Sequence, residues 1–198
     1  FRRQRPVCIR DRWDCLEEAG VSVERGASWA TSVARSGALG ELKLRDPISS
    51  QEVSALLIGL AAGGGGYLSV SGPTPSLPYV GMTKAVLSLF GCEVSDSPTA
   101  LRVQGDAIDP AEAMLVEVDA SAAAVALAAG CLAGIRVEVP TPAPSSSQGA
   151  WLIVDHLRDF GCVIVEIDSS LVASWPPVNA VHFDLAGQPD LAHVLVGA

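Results

Sequence analysis

Short apolar blocks bordered by glycine, proline and small polar residues recur along the whole chain. Blocks of four or five residues rich in Val, Ile, Leu and Tyr between such borders are typical of β-strands. They predict strands at residues 41–44, 67–71, 100–103, 135–139 and 181–184. The longer runs between them are apolar around most of a helical circumference, which predicts helices largely buried within their units.

Two series of landmarks recur at intervals of about 70 residues. Gly20, Gly91 and Gly161 each separate the end of an amphipathic helix from a short strand, a position where a left-handed residue is common. Ser49, Asp119 and Asp190 are favoured N-cap residues, and each precedes an apolar helical run. Together the two series indicate a structural repeat.

The repeat predicts an α/β fold of β-α-β-α-β-β units. Two lobes are expected, residues 1–112 and 113–198, joined by a crossover at 106–112. If the capped helices of the units are parallel, their positive ends lie on one side, each with unpaired N–H donors. Such an arrangement favours a small-molecule anion.

Composition narrows the classes of partner. The 198 residues are 49% hydrophobic and 18% charged, which argues against disorder. The net charge of −9 disfavours nucleic acid, because phosphate backbones are bound by clustered Lys and Arg. The uncharged stretch 53–83 is interrupted by Gly63–Gly66, so no membrane span is expected. With no apolar signal core at the N-terminus, the expected location is cytoplasmic.

Two smaller patterns favour structural roles over chemistry. The five cysteines form no C-x-x-C pair, which predicts reduced, buried thiols and no metal site. The run Gly63–Gly66 lacks a following Lys-Ser/Thr and comes after a helix, so it predicts a flexible turn rather than a phosphate-binding loop.

Four motifs occur in an order and spacing that identify a family. They are SSQEVSALL from Ser49, SLPYVGMT from Ser76, VEVDAS from Val116 and QPD ending at Asp190. Together they resemble the S-S-Q, S-x-P-Y-x-x-M-T, V-E-G-D-A-S and P-D patterns of the 5-enolpyruvylshikimate-3-phosphate synthase family. The resemblance covers nearly the whole chain but only the middle of a typical member.

The resemblance implies a fold and a reaction. Members have two lobes, each of three β-α-β-α-β-β units, that close over a cleft. They transfer the enolpyruvyl group of phosphoenolpyruvate to the 5-hydroxyl of shikimate 3-phosphate, within the shikimate pathway of aromatic amino acid biosynthesis. Phosphoenolpyruvate would be a co-substrate, and no cofactor is expected.

The resemblance also assigns roles to individual residues. Ser49, Ser50 and Gln51 would face the phosphorylated shikimate, and Ser76 would help to hold its phosphate. Tyr79 would line the pocket, and Arg5 would meet phosphoenolpyruvate. Asp190 would transfer the proton of the hydroxyl. His193, one turn later, is a further candidate for the same space.

Other interpretations of these residues stay open. Ser49-x-x-Glu52 is also a capping box, Asp119 fits a plain N-cap, and Asp190 could cap a helix. Leu77 stands where the family pattern has Lys, and the cationic motifs at both ends of a typical member have no counterpart. The alternatives to a transferase are therefore a degenerate anion-binding or scaffold module, or an enzyme that retains only an elimination. Self-association or a completing partner chain is also open.

Overall fold

The computed structural model describes residues 13, 15–25, 31–34, 39–104, 113, 115–174 and 179–197. The first part of the chain contains β1 (Ser22–Arg25), β2 (Thr31–Ala34), β3 (Gly40–Arg45), α1 (Ser50–Ala62), β4 (Gly66–Ser71), α2 (Leu77–Leu89), β5 (Glu93–Asp96) and β6 (Leu101–Gln104). The second part contains α3 (Ala120–Ala133), β7 (Val137–Pro140), α4 (Ile153–Asp159), β8 (Val163–Ile167), β9 (Ser170–Ser174) and α5 (Ala192–Gly197).

These elements fall into two compact units, Phe1–Met114 and Leu115–Ala198. Each has its own apolar core. Leu42, Leu57, Leu60 and Leu68 are among the buried residues of the first, and Leu127, Ile153, Leu157 and Leu191 are among those of the second. The arrangement of the two units as lobes around a cleft stays a prediction.

The first unit contains one complete β-α-β-α-β-β repeat, in the order β3-α1-β4-α2-β5-β6. Its sheet has the order β3-β4-β6-β5. β3 and β4 are parallel, joined by the crossover helix α1, while β6 is antiparallel to both of its neighbours. Leu42 and Leu44 of β3 are buried, whereas Lys43 and Arg45 are exposed, so the helices cover one face of the sheet.

The described residues of the second unit repeat this pattern without its first strand. Its elements follow the order α3-β7-α4-β8-β9, and its sheet order β7-β9-β8 reproduces β4-β6-β5. All pairs in this sheet are antiparallel. The topology therefore confirms the α/β repeat predicted from the sequence.

The strand predicted at 181–184 is wrong, because these residues are irregular. Residues 115–119, which precede α3 as β3 precedes α1, are irregular too. An extended segment needs a neighbour for its backbone N–H and C=O groups. β3 has one in β4, but no strand of the described residues pairs with either of these segments.

The repeat glycines have the conformation predicted for them. Gly20, Gly91 and Gly161 have φ of +79°, +76° and +100°. In each case the backbone turns from the end of a helix into a strand within two residues. A Cβ would be strained in this left-handed region, which explains the glycines.

The run of four glycines forms a turn, as predicted, and two of its glycines, Gly65 and Gly66, are closely packed. Gly65 and Gly66 have φ of +97° and +149°. A Cβ on Gly65 would lie 2.8 Å from the carbonyl oxygen of Val103, and one on Gly66 would overlap that of Gly40. These glycines are required because two neighbouring strands approach closely.

The helices are less completely buried than their composition predicts. α1 and α3 each bury one side, while Ile58 of α1 and Val125 of α3 are about half exposed, at 52% and 51%. Within the described ranges, no helix has both the length and the apolar character needed to cross a bilayer.

Candidate functional site

The starts of α1 and α2 lie at one edge of the first unit's sheet. β3 and β4 are parallel neighbours, and each is followed directly by one of these helices, so both helices begin at the carboxyl ends of the strands. The two connecting loops touch. Asp46 N–H donates to the carbonyl oxygen of Ser71 at 2.7 Å, and the missing side chain of Gly72 leaves room for the Asp46 carboxylate.

The first turn of α1 is capped by its own side chains. Ser49 Oγ accepts from Gln51 N–H at 3.2 Å, and Glu52 Oε2 accepts from Ile48 N–H at 3.0 Å. The capping interpretation of Ser49 is therefore confirmed. Ser50 is 4% exposed, whereas Gln51 is exposed and Ser49 half-buried. Of the S-S-Q triplet, Gln51 has the most accessible side chain.

Glu52 adds a negative charge at the positive end of α1. Its side chain is completely buried, and its Oε1 has no hydrogen-bond partner. A carboxylate in the first turn is stabilised by the helix dipole. The same carboxylate repels a ligand anion placed there, so α1 alone is a weaker phosphate site than its serines suggest.

The start of α2 differs, because its serine is not used as a cap. Ser76 has φ of +55°, rare for a residue with a side chain, and its hydroxyl makes no cap hydrogen bond. Tyr79 is half-buried on the first turn. The Thr83 hydroxyl lies 2.7 Å from Ser54 Oγ of α1 and 3.0 Å from the Tyr79 carbonyl oxygen. This contact joins the two helices near their first turns.

The helix start of the second unit is also capped. Asp119 Oδ1 accepts from Ser121 and Ala122 N–H at 2.8 and 3.2 Å, as expected of a plain N-cap. Gln148 fixes the segment before α3 by accepting from Ala120 N–H at 2.9 Å and donating to the Val118 carbonyl at 2.7 Å. The VEVDAS motif is thus a helix-initiating segment.

Asp190 and His193 lie together at the start of the last helix. Asp190 is exposed within the short 3-10 turn Pro189–Leu191 that leads into α5, and His193 is exposed on the first turn of α5. Asp190 does not occupy the N-cap position predicted for it, because Gln188 precedes the turn. Their three-residue spacing favours a common face. Arg5 lies outside the described residues.

The structure thus gathers the predicted residues into two groups. One group, in the first unit, contains Ser49, Ser50, Gln51, Ser76 and Tyr79. The other, in the second unit, contains Asp190 and His193.

Sequence reasoning missed the contact between the loops that hold the first group. Asp46 and Gly72 form it. The signal for both was available, because each precedes a proline directly after a predicted strand, a combination typical of turns. The burial of Glu52 gave no comparable signal, since glutamate in a first helical turn is ordinarily exposed.

Comparisons with known proteins agree with these motifs. The chain matches the sequence profile of EPSP synthase (3-phosphoshikimate 1-carboxyvinyltransferase) over residues 2–196. The enolpyruvyl transferase NikO from Streptomyces tendae is similar in structure, with a TM-score of 0.60 and 18% identity over 84% of this chain and 42% of that one. EPSP synthase from Acinetobacter baumannii has a TM-score of 0.65 and 16% identity over 97% of this chain and 45% of that one.

The chain therefore spans less than half the length of these two relatives. At such identities the structural likeness establishes the enolpyruvyl transferase fold, and the profile match over almost all of the residues establishes the family. The chain belongs to the EPSP synthase family.

Proposed function

We propose that this chain forms part of an enolpyruvyl transferase site that binds a shikimate-like anionic cyclic substrate. The observation that carries the proposal is the meeting of α1 and α2 at one sheet edge, where Gln51, Ser76 and Tyr79 stand on adjacent first turns. Hydroxyl, phenol and amide groups at helix starts suit the phosphate and ring hydroxyls of such a substrate.

The division of roles follows from burial and hydrogen bonding. Ser76 is the better phosphate ligand, because its hydroxyl is not used in capping. Gln51 is exposed and can bind ring hydroxyls. Ser49 and the buried Ser50 shape the turn that presents Gln51. Asp190 is proposed as the proton-transfer group, with His193 beside it, and Arg5 as the residue that meets phosphoenolpyruvate.

A second candidate, an anion-binding or scaffold module without transfer chemistry, is favoured by the charge at the site. The carboxylate of Glu52 occupies the positive end of α1, and Leu77 replaces a cation of the family pattern. Enolpyruvyl transfer develops negative charge that preorganised positive groups must stabilise. An enzyme that catalyses only an elimination would lie between the complete transferase and a module without chemistry.

Calorimetric titration with shikimate 3-phosphate, with and without phosphoenolpyruvate, tests the proposal. Ser76→Ala should weaken binding roughly tenfold, because a hydrogen bond to a charged group is lost. Ser88→Ala, an exposed serine at the other end of α2, is the matched control and should bind as the unaltered protein does. If shikimate 3-phosphate binds but phosphoenolpyruvate is not turned over, the chain is an anion-binding module without transfer chemistry. The absence of heat at millimolar ligand overturns substrate binding by this chain.

A further inference from the structure

A cavity of about 340 Å³ opens between α2 and the β5–β6 hairpin, apart from the residues assigned above. Its floor is apolar, formed by side chains of α1, the sheet and α2. Val53, Leu68, Val70, Val80 and Leu101 belong to it. The volume lies at the lower end of the range for small-molecule sites. A ligand that reaches this floor therefore needs a compact apolar part.

An ion pair stands in the wall of this cavity. Lys84 Nζ lies 2.7 Å from Asp96 Oδ1, and both residues line the cavity. The Lys84 side chain is 25% exposed and that of Asp96 78% exposed. An ammonium has three donors and a carboxylate about four acceptor positions, so each group can bind a further partner while the pair remains intact.

The opposite charges of Lys84 and Asp96 indicate which class of ligand fits the cavity. A simple anion at Lys84 would lie beside the Asp96 carboxylate and add to a net charge of −9, whereas a simple cation at Asp96 would face Lys84. A ligand with one charge of each sign satisfies both groups. Since the two charged side chains are in contact, the two charges of the ligand must also be adjacent, as they are on either side of the Cα of an α-amino acid.

The hairpin tip that forms one wall is internally braced. Ser97 N–H and Ser97 Oγ both contact the Ala100 carbonyl oxygen, at 2.9 and 2.7 Å, and Ala100 N–H donates to Ser97 Oγ at 3.1 Å. On the opposite wall, Leu77, Val80 and Lys84 lie at helical spacing on one face of α2. The wall is thus formed before any ligand binds, which lowers the entropic cost of binding.

We propose that this cavity binds an apolar α-amino acid. The ligand carboxylate accepts from Lys84, its ammonium donates to Asp96, and its side chain lies on the floor between α2 and the sheet. This site is distinct from the one proposed above, because none of the residues proposed to bind substrate or transfer a proton lines the cavity, although Leu77 next to Ser76 does.

Binding of L-phenylalanine and L-leucine by the full chain, followed by calorimetry and methyl NMR, tests the proposal. N-acetyl-L-phenylalanine lacks the ammonium and phenethylamine lacks the carboxylate, so each should bind roughly tenfold more weakly or worse. Lys84→Met and Asp96→Asn should each produce a similar loss. Lys43→Met is the control, because Lys43 pairs with Glu41 at 3.7 Å and does not line the cavity.

Three results would overturn the proposal. The first is no binding of either amino acid at millimolar concentration. The second is equal binding of phenylalanine and its two truncated analogues by the unaltered protein, which would reveal an apolar groove without charge recognition. The third is an equal loss of binding in Lys43→Met. Because the analogues are tested on the unaltered chain, the outcome does not depend on the folding of a variant.

Discussion

Replacing Gly66 with alanine tests the close approach of β3 and β4, on which the position of both helix starts depends. The backbone of Gly66, with φ of +149°, is in a region used almost only by glycine, and a residue with a side chain costs about 1–3 kcal/mol there. The added Cβ would also overlap the Gly40 carbonyl oxygen and lie 2.8 Å from Leu60 Cδ2. Overpacking of this kind costs typically about 1–3 kcal/mol.

The expected loss for Gly66→Ala is therefore roughly 2–6 kcal/mol, a large part of a typical domain's stability. Gly91→Ala is the matched control. It also has a positive φ, +76°, but nothing lies within 4 Å of its added Cβ, so only the backbone term of about 1–2 kcal/mol applies. Urea unfolding followed by circular dichroism measures both. Equal losses in the two variants would refute the close strand approach.

Three further variants test the cap, the helix contact and the buried thiols. Asp119→Ala should destabilise the second unit by about 1 kcal/mol, because two backbone N–H groups lose their acceptor; urea unfolding measures this. Thr83→Val should cost about 0.5–1.5 kcal/mol by leaving Ser54 without its partner, and Thr83→Ser should retain most of the stability. Burial and the adjacent Cys162 thiol raise the pKa of Cys131 from 9.0 to about 12. The unfolded chain releases this proton first, so stability should fall as pH rises from about 9 towards 12. Cys131→Ala should flatten this part of the pH profile, and an unchanged slope would contradict the assignment.

The features predicted correctly from the sequence are those with local causes. A glycine after a helix end and a capping residue before an apolar run are decided within a few residues, and Gly91 and Asp119 behave as expected. The family motifs were equally readable because they are short and ordered. These signals establish the repeat and place Ser49 and Ser76 at helix starts.

The features that were missed depend on partners distant in the chain. Whether residues 181–184 form a strand is decided by a neighbouring strand, and none of the described strands takes that position. The close packing of Gly65 and Gly66 has the same explanation, since it involves Val103 and Gly40 on the two adjacent strands. The ion pair of Lys84 with Asp96 also joins two elements that the sequence pattern does not relate.

No strand precedes α3 among the described residues of the second unit, which bears on how its sheet border behaves at high concentration. β7 is an outer strand of its sheet, and outer strands can recruit extended segments of other molecules into fibrous aggregates. Here the strand is only four residues long and ends at Pro140. Arg136 directly precedes the strand and Glu138 lies within it, and both charged side chains are exposed. Such a border offers few hydrogen bonds to an incoming chain, which disfavours strand-to-strand aggregation at this edge of the sheet.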